Sequence, residues 1–145
     1  MLIGMLCDGV MKVVAAAIVD RGRLLVVSKK AAPEVFYLPG GKPEAGESPE
    51  ETLVRELGEE LGVAPRDMDL LGQIEDMAAL EGVPMRMTVY TARLAGRPKP
   101  AAELAALGRT DGRDRFGPRL APAVRNQVLP LLVRAGALVD DRHEV

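Results

Sequence analysis

Residues 55–62, RELGEELG, contain three glutamates within five positions, and they constrain the fold more than any other part of the sequence. On a helix with about 100° of rotation per residue, Glu56, Glu59 and Glu60 share an arc of about 100°. Like charges at this spacing repel by roughly 0.2–0.5 kcal/mol per pair. No Lys or Arg follows Glu56 before Arg66. A chain that forms a helix here must place this acidic surface against solvent or against a cation.

The helix itself is well specified by the residues around the cluster. Ser48 is a favourable N-cap, Pro49 suits the first helical position, and Glu51 stands where a capping box requires it. Gly62 predicts the C-terminal end. Gly58 is unfavourable in mid-helix, and we expect close packing against a neighbour to account for it. The apolar stripe predicted to face the core consists of Leu53, Val54, Leu57 and Leu61.

Two interpretations of the acidic cluster compete. Most helical glutamates are solvated, but solvated faces usually interleave Lys four residues after Glu. Residues 42–60 instead carry seven acidic against two basic side chains, a local net charge of −5. Mg²⁺ prefers such oxygen ligands, whereas an EF-hand calcium site needs ligands alternating along a loop. We therefore favour a divalent cation site beside the loop at residues 39–47, where paired glycines allow close backbone approach.

The rest of the chain alternates apolar runs with turn sequences. Residues 12–19 predict a buried strand that pairs across the turn DRGR with residues 24–29. Residues 30–35 predict a loop. Further strands are predicted at residues 36–38, 68–79 and 85–94.

The C-terminal part predicts less regular structure followed by a helix. Residues 101–108 predict a short helix or an irregular segment, and the Gly- and Arg-rich residues 108–120 predict a mobile loop. Residues 121–136 predict a helix that Pro130 kinks or splits. Several strands with one central and one C-terminal helix favour an α/β fold, a mixed sheet with helices on both faces.

Composition narrows the classes of partner and location. The 145 residues predict a single domain, with residues 1–10 as a loosely attached lead-in. A net charge of −2 gives no reason to expect a nucleic-acid polymer or an anionic membrane as partner. The single cysteine, Cys7, excludes an internal disulfide and favours a cytoplasmic location. The longest apolar run, residues 13–19, is too short to cross a bilayer.

Residues 41–63, GKPEAGESPEETLVRELGEELGV, resemble the Nudix box, the signature of the Nudix hydrolases. The resemblance implies a Nudix fold, an α/β/α sandwich in which the box forms a loop–helix–loop. It also implies hydrolysis, dependent on Mg²⁺ or on Mn²⁺ as a substitute, of a nucleoside diphosphate linked to another group. Every specified position of the signature matches: Gly41, Glu47, Arg55, Glu56, Leu57, Glu59, Glu60, Gly62 and Val63.

The resemblance also implies roles for individual residues. Glu56, Glu59 and Glu60 would bind the metal, with the carbonyl of Gly40 as a further ligand. Glu56 would accept the proton of the attacking water, although the base differs between members. Arg55 would fix the orientation of the glutamates; a simple surface ion pair with Glu59 is the alternative. The structural positions of the box are Gly41, Glu47 and Gly62.

Outside the box the candidates each have a simpler alternative. Glu103 would complete the metal site or be an exposed glutamate, and Lys42 would contact phosphate or remain solvated. Asn126 would read the base from the C-terminal helix. Aromatic side chains that could stack on a base, or merely pack, are Phe36, Tyr37 and Phe116.

PGGK followed by the box looks most like the MutT-type branch, which hydrolyses oxidised nucleoside triphosphates to the monophosphate and pyrophosphate. ADP-ribose relatives tend to carry a proline, and dinucleoside-polyphosphate relatives a tyrosine, where this chain has Ala79 and Leu80. Hydrolysis of NDP-sugars or dinucleoside polyphosphates is the alternative activity. A non-catalytic nucleotide-binding regulatory module is the alternative class, but such modules commonly lose box glutamates that are all present here. A homodimer is frequent among relatives.

Overall fold

The computed structural model describes residues 9–113 and 119–138. Residues 1–8 of the predicted lead-in, and Phe116, lie outside the described residues. The strands are β1 (Met11–Ala17), β2 (Val19–Asp20), β3 (Arg23–Lys29), β4 (Ala32–Tyr37), β5 (Gly40–Gly41), β6 (Pro65–Met77), β7 (Pro84–Leu94), β8 (Leu104–Thr110) and β9 (Arg119–Leu120). Helix α1 spans Pro49–Leu61, and a π-helical segment at Val124–Val128 continues into α2, Leu129–Arg134.

The strands form two sheets of mixed direction. One has the order β5-β1-β7-β6, in which β1 runs parallel to β7 and the other pairs are antiparallel. The other has the order β2-β3-β4-β9, with β8 also paired to β3. The mixed α/β architecture predicted from the sequence is confirmed.

Strand alternation distributes apolar side chains to both faces, as the period of two requires. In β1 and the residue after it, Val14, Ala16 and Ile18 contribute to one buried cluster with α1. Ala15 and Ala17 contribute to a second cluster, which contains the C-terminal helix. Burial on both faces explains why residues 12–19 form an almost continuous apolar run. The two helices therefore cover opposite faces of the strands.

Helix α1 forms as its sequence predicts at both ends. The Ser48 hydroxyl accepts a hydrogen bond from the Glu51 N–H at 3.1 Å, and the Glu51 carboxylate accepts one from the Ser48 N–H at 2.8 Å. Gly62 ends the helix in the left-handed region, at φ 72°. Two predictions within the helix are wrong. Val54 lies at the margin of the apolar stripe and is 48% exposed, and a Cβ on Gly58 would meet nothing within 4 Å.

The secondary structure predicted for two segments that pair with β3 is also wrong. Residues 32–35, predicted as a loop, belong to β4, which runs antiparallel to β3. The segment at residues 101–108 was predicted to be helical or irregular, but Leu104 onward forms β8. Its alanines and leucines favour helix intrinsically, but pairing along nearly all of β3 outweighs that small preference. Residues 108–110 of the predicted mobile loop are therefore strand.

The predicted hairpin between residues 12–19 and 24–29 is correct only near its turn. Val19 and Asp20 of β2 pair with Leu24 and Arg23, while β1 itself pairs with β5 and β7 in the other sheet. The C-terminal helix is interrupted where the sequence predicts. Its π-helical turn gives way to α geometry at Leu129, directly before Pro130, which has no N–H to continue the ladder.

Candidate functional site

The loop before α1 lies against β1 and against the acidic helix face, and two glycines permit this. Gly40 has φ 147°, and a Cβ there would overlap the backbone carbonyl of Val14. A Cβ on Gly41 would overlap the carboxylate of Glu56. Position 40 therefore requires glycine, because the backbone of β1 occupies the space of a side chain, whereas at Gly41 a side chain would displace the Glu56 carboxylate.

Arg55 joins this loop to the helix. Its Nε and Nη2 donate to the two carboxylate oxygens of Glu47 at 2.7 and 2.9 Å, and Nη1 donates to Glu56 at 2.9 Å. A second Nη2 bond, 3.1 Å long, reaches the carbonyl of Lys42. The contacts with Glu59 and Glu44 are the longest, at 3.5 and 3.6 Å. The surface ion pair with Glu59 is thus a minor part of a network that orients Glu56.

The same contacts change the acidity of Glu47. The hydrogen bonds from Arg55, followed by one from the backbone of Glu44, lower the pKa of Glu47 to about 2. The Thr52 hydroxyl donates a further bond to the Glu47 carboxylate at 3.0 Å. Pairing with Glu47 in turn raises the pKa of Arg55. Glu47 is therefore an ionised carboxylate that is hydrogen-bonded to Arg55, Thr52 and the backbone of Glu44.

The surroundings of Glu60 and Glu56 disfavour the charged form of both carboxyl groups. Glu60 is only 4% exposed, and one of its oxygens accepts a 3.2 Å bond from the Gly40 N–H. Burial, then the charge of Glu56, raises the pKa of Glu60 to about 8. Burial also raises the pKa of Glu56, although Arg55 opposes this. A cation bound between these two partly desolvated carboxyl groups would favour their charged form and would itself be stabilised.

A hard divalent cation fits this donor set. Glu56, Glu60 and Gly40 line one cleft and offer only oxygen acceptors to it, since the N–H of Gly40 is already bonded to Glu60. Among the described residues, no three His, Cys, Asp or Glu side chains already converge as a metal cage. Mg²⁺ does not require one, because it is commonly held by one or two carboxylates, waters and substrate phosphates. Glu59 does not line the cleft, and its side chain is 57% exposed.

The cleft has a volume of about 410 Å³, a size typical of small-molecule sites. Glu56, Glu60 and Glu103 interact electrostatically, and the part of the lining that they form is its acidic end. An apolar part, called its apolar end, forms because the parallel pairing of β1 with β7 places Met11 opposite Met85 and Val13 opposite Met87. The remaining apolar lining comes from Tyr37, Leu38, Met77, Ala78, Ala79, Leu80, Ala121, Ala123 and Val124, and Glu81 adds a charged side chain next to Leu80 in the sequence.

The candidates outside the box are only partly brought together. Glu103 lines the cleft with a 62% exposed side chain and forms a 3.8 Å ion pair with Lys29, and Lys42 also lines it. Phe36 packs against the second apolar cluster and does not line the cleft. Asn126 is exposed and likewise lies outside the lining.

The methionines of the cleft were not singled out from the sequence. A signal was present, since the chain has seven methionines against four aromatic residues and no tryptophan. Methionine is flexible and polarisable, so it can form an adaptable apolar wall where aromatic rings are scarce. Tyr37 was considered only as a stacking or packing residue, but it lines the cleft near its acidic end.

Comparisons with known proteins agree with this geometry. The NUDIX domain model matches residues 10–115. A Mycobacterium tuberculosis (strain CDC 1551 / Oshkosh) protein, provisionally assigned as 8-oxo-dGTP diphosphatase 2, is 38% identical over 90 residues. The match covers 60% of this chain and 64% of that relative, so the chain spans less than two thirds of its length.

Two solved structures are similar over most of the chain. The MutT NUDIX hydrolase from Burkholderia pseudomallei has a TM-score of 0.67 and 35% identity, covering 79% of this chain and 92% of that one. A UDP-X diphosphatase has a TM-score of 0.73 and 25% identity, covering 88% of this chain and 64% of that one. None of the helices in the described residues is long and apolar enough to cross a membrane. The motif, the fold and the matched domain agree, and the chain belongs to the Nudix family.

Proposed function

We propose that this protein is a Mg²⁺-dependent pyrophosphohydrolase that cleaves a nucleoside diphosphate linked to another group. The substrate we favour is an oxidised nucleoside triphosphate, which would give the monophosphate and pyrophosphate. The observation that supports this best is the composition of the cleft. Buried Glu60 and partly buried Glu56 line it together with an apolar wall against which a nucleoside would pack.

Residues of the Nudix box would bind the cation, accept a proton and position the carboxylates during hydrolysis. Glu56 and Glu60 would hold the cation, with the Gly40 carbonyl beside them. When bound, Mg²⁺ would neutralise phosphate charge and lower the pKa of a bound water. Glu56 would accept the proton of the attacking water, and Arg55, anchored on Glu47, would keep its carboxylate in position.

Lysines near the acidic end would attract the phosphates. Lys42 and Lys29 both line the cleft, and their charges partly offset those of Glu56, Glu60 and Glu103. The apolar end would hold the base against methionine side chains. Among the described lining residues there is no Asn, Gln, Ser or Thr side chain, so base recognition there would use backbone groups and shape.

The relatives support oxidised nucleotides as the first substrate class to test. The Mycobacterium tuberculosis relative is provisionally assigned as an 8-oxo-dGTP diphosphatase, and the similar Burkholderia pseudomallei structure is that of a MutT NUDIX hydrolase. The likeness to a UDP-X diphosphatase makes NDP-sugars the second candidate. A non-catalytic module is disfavoured because all box glutamates are present. The homodimer and the cytoplasmic location stay predictions.

The test is a substrate panel with purified protein and Mg²⁺. It should include 8-oxo-dGTP, dGTP, UDP-glucose, ADP-ribose and a dinucleoside tetraphosphate, with products separated by chromatography. We expect the highest kcat/KM for 8-oxo-dGTP and release of pyrophosphate rather than orthophosphate. Preference for UDP-glucose would support the second candidate. Absence of hydrolysis across the panel would contradict the enzyme.

A further inference from the structure

Tyr37 contains a polar atom that the fold leaves without a partner. Its hydroxyl oxygen is buried and makes no hydrogen bond to any described residue. Within residues 9–113 and 119–138, the only other such side-chain atom is Oγ of Ser28, which does not line the cleft. A buried, unpartnered hydroxyl costs free energy, so its presence calls for an explanation. Tyr37 lines the cleft, which points to a ligand as the missing partner.

The surroundings show what kind of ligand group would suit this hydroxyl. Burial raises the pKa of Tyr37, and the charges of Glu60, Glu103 and Glu81 raise it further. The hydroxyl therefore stays protonated at neutral pH and has a hydrogen to donate. None of these carboxylates accepts that hydrogen. Glu60 exerts the largest of the three charge effects, which places Tyr37 near the acidic end.

We propose that Tyr37 is a substrate-binding residue whose hydroxyl donates a hydrogen bond to an oxygen of the nucleotide's phosphate chain. This inference rests on the proposed function, in which the phosphates lie at the acidic end of the cleft. A phosphate oxygen is an anionic acceptor, and hydrogen bonds to charged acceptors are the stronger kind. Tyr37 would thereby distinguish a polyphosphate chain from a neutral group at this position.

Lys29 is a charged neighbour of the Tyr37 ring. Its Nζ lies 5.8 Å from the centre of the Tyr37 ring, and its ion pair with the exposed Glu103 is long, at 3.8 Å. Exposed ion pairs of this kind contribute little and are easily exchanged. Because the hydroxyl oxygen is buried in the free protein, a ligand reaches it only if a neighbouring side chain shifts. A phosphate would draw Lys29 toward itself and provide that shift.

The second tyrosine of the chain supplies a matched control. Tyr90 is buried, and it packs in the apolar cluster around α1 and does not line the cleft. Its hydroxyl lies beside the carboxylate of Glu50. Tyr37→Phe and Tyr90→Phe each remove one hydroxyl, from a partly buried ring and from a buried ring respectively. Their effects should differ, because only the Tyr90 hydroxyl has a partner within the protein.

The experiment compares stability, kinetics and binding in the two variants. For Tyr37→Phe we expect an unchanged or higher thermal midpoint and a KM for 8-oxo-dGTP raised about ten-fold or more, with kcat much less affected. Calorimetry with inorganic pyrophosphate and Mg²⁺, which needs no turnover, should show a similar loss of affinity. For Tyr90→Phe we expect a lower midpoint and unchanged KM.

The outcomes separate this inference from the proposed function. Wild-type protein that hydrolyses no nucleotide would overturn the proposed function. In an active protein, Tyr37→Phe with unchanged KM and unchanged pyrophosphate affinity would overturn the inference alone. A lowered midpoint in Tyr37→Phe would also overturn it, by showing a partner inside the protein. The nucleoside 8-oxo-deoxyguanosine, which has no phosphate, serves as a competitive inhibitor of hydrolysis. If it inhibits Tyr37→Phe more weakly than wild type while the affinity for pyrophosphate is unchanged, Tyr37 contacts the nucleoside and the proposed phosphate contact is wrong.

Discussion

Individual residues at this site act mainly by positioning others. Arg55 is held by both oxygens of Glu47 and presents Nη1 to Glu56, so a residue in the loop determines where a residue of the helix points. Glycine contributes equally, because Gly41 leaves space for the Glu56 carboxylate. The position of the Glu56 carboxylate is therefore set by the bidentate Arg55–Glu47 pair and by the close approach of the loop backbone.

Glu47→Gln tests the support of Arg55 through pH. The pKa of Glu47 is lowered from 4.5 to about 2, so its contribution to stability is complete above pH 4.5 and is lost as pH falls toward 2. We expect the variant to be less stable at pH 7, with the difference from wild type shrinking as pH falls below 4.5. Urea unfolding at pH 7 and at pH 3 measures this. Glu34→Gln, at an exposed site on β4, is the control; an equal deficit in Glu47→Gln at both pH values would contradict the account.

Substitution of Gly40 should lower stability, whereas substitution of Gly41 should weaken Mg²⁺ binding. In Gly40→Ala the new Cβ meets the backbone of β1 and the residue also has positive φ, so we expect a large loss of thermal stability. In Gly41→Ala it meets only the Glu56 side chain, which can rotate away. We expect this variant to fold but to bind Mg²⁺ weakly, as titration calorimetry would show. Equal loss of folding in both would argue against the assigned contacts.

At the scale of elements, those determined by contacts close in sequence were predicted correctly, and those determined by distant strand pairing were not. Helix α1 was predicted with correct ends because its capping box and C-terminal glycine are local signals. Strand β8 was misassigned because nothing within residues 101–110 reports the pairing with β3. The hairpin prediction overextended for the same reason, since β1 leaves β3 to pair with the distant β7.

Gly58 offers a direct test at the level of the helix. It is exposed in the middle of α1, and a Cβ there would meet nothing within 4 Å. We expect Gly58→Ala to stabilise the protein by about 0.5–1 kcal/mol, because alanine restricts the unfolded chain and favours helix. Denaturant unfolding measures the change, with activity as the control that the site is intact. A destabilised variant would show that the glycine serves a packing or binding role.

For the whole molecule, the acidic end of the cleft was predictable and the apolar end was not. The box places its glutamates on one short helix, so periodicity alone groups them. The apolar wall is assembled from β1, β7, the β6–β7 connection and the C-terminal segment, which are far apart in sequence. No local pattern marks Met11 and Met85 as neighbours; only the parallel register does. Substrate class is therefore harder to predict than reaction class.

Mg²⁺ should stabilise the whole fold through the same site. A ligand that binds only the native state raises the free energy of unfolding by RT ln(1 + L/Kd), where L is the ligand concentration, so the unfolding midpoint rises with the logarithm of ligand concentration once the site is saturated. We expect Mg²⁺ to raise the thermal midpoint of wild-type protein, EDTA to reverse this, and the double variant Glu56→Gln/Glu60→Gln to show no response. Scanning calorimetry over a range of Mg²⁺ concentrations tests this. A response retained by the double variant would place the cation elsewhere.

The central claim, that Glu56 and its cleft hydrolyse a nucleotide, is tested most directly by one kinetic comparison. Pyrophosphate release from 8-oxo-dGTP in Mg²⁺ should be measured for wild-type protein and for Glu56→Gln. We predict measurable wild-type turnover and a kcat/KM at least about 100-fold lower in the variant, since the carboxylate would both hold the cation and accept the proton. Wild-type activity that survives unchanged in Glu56→Gln would contradict the account.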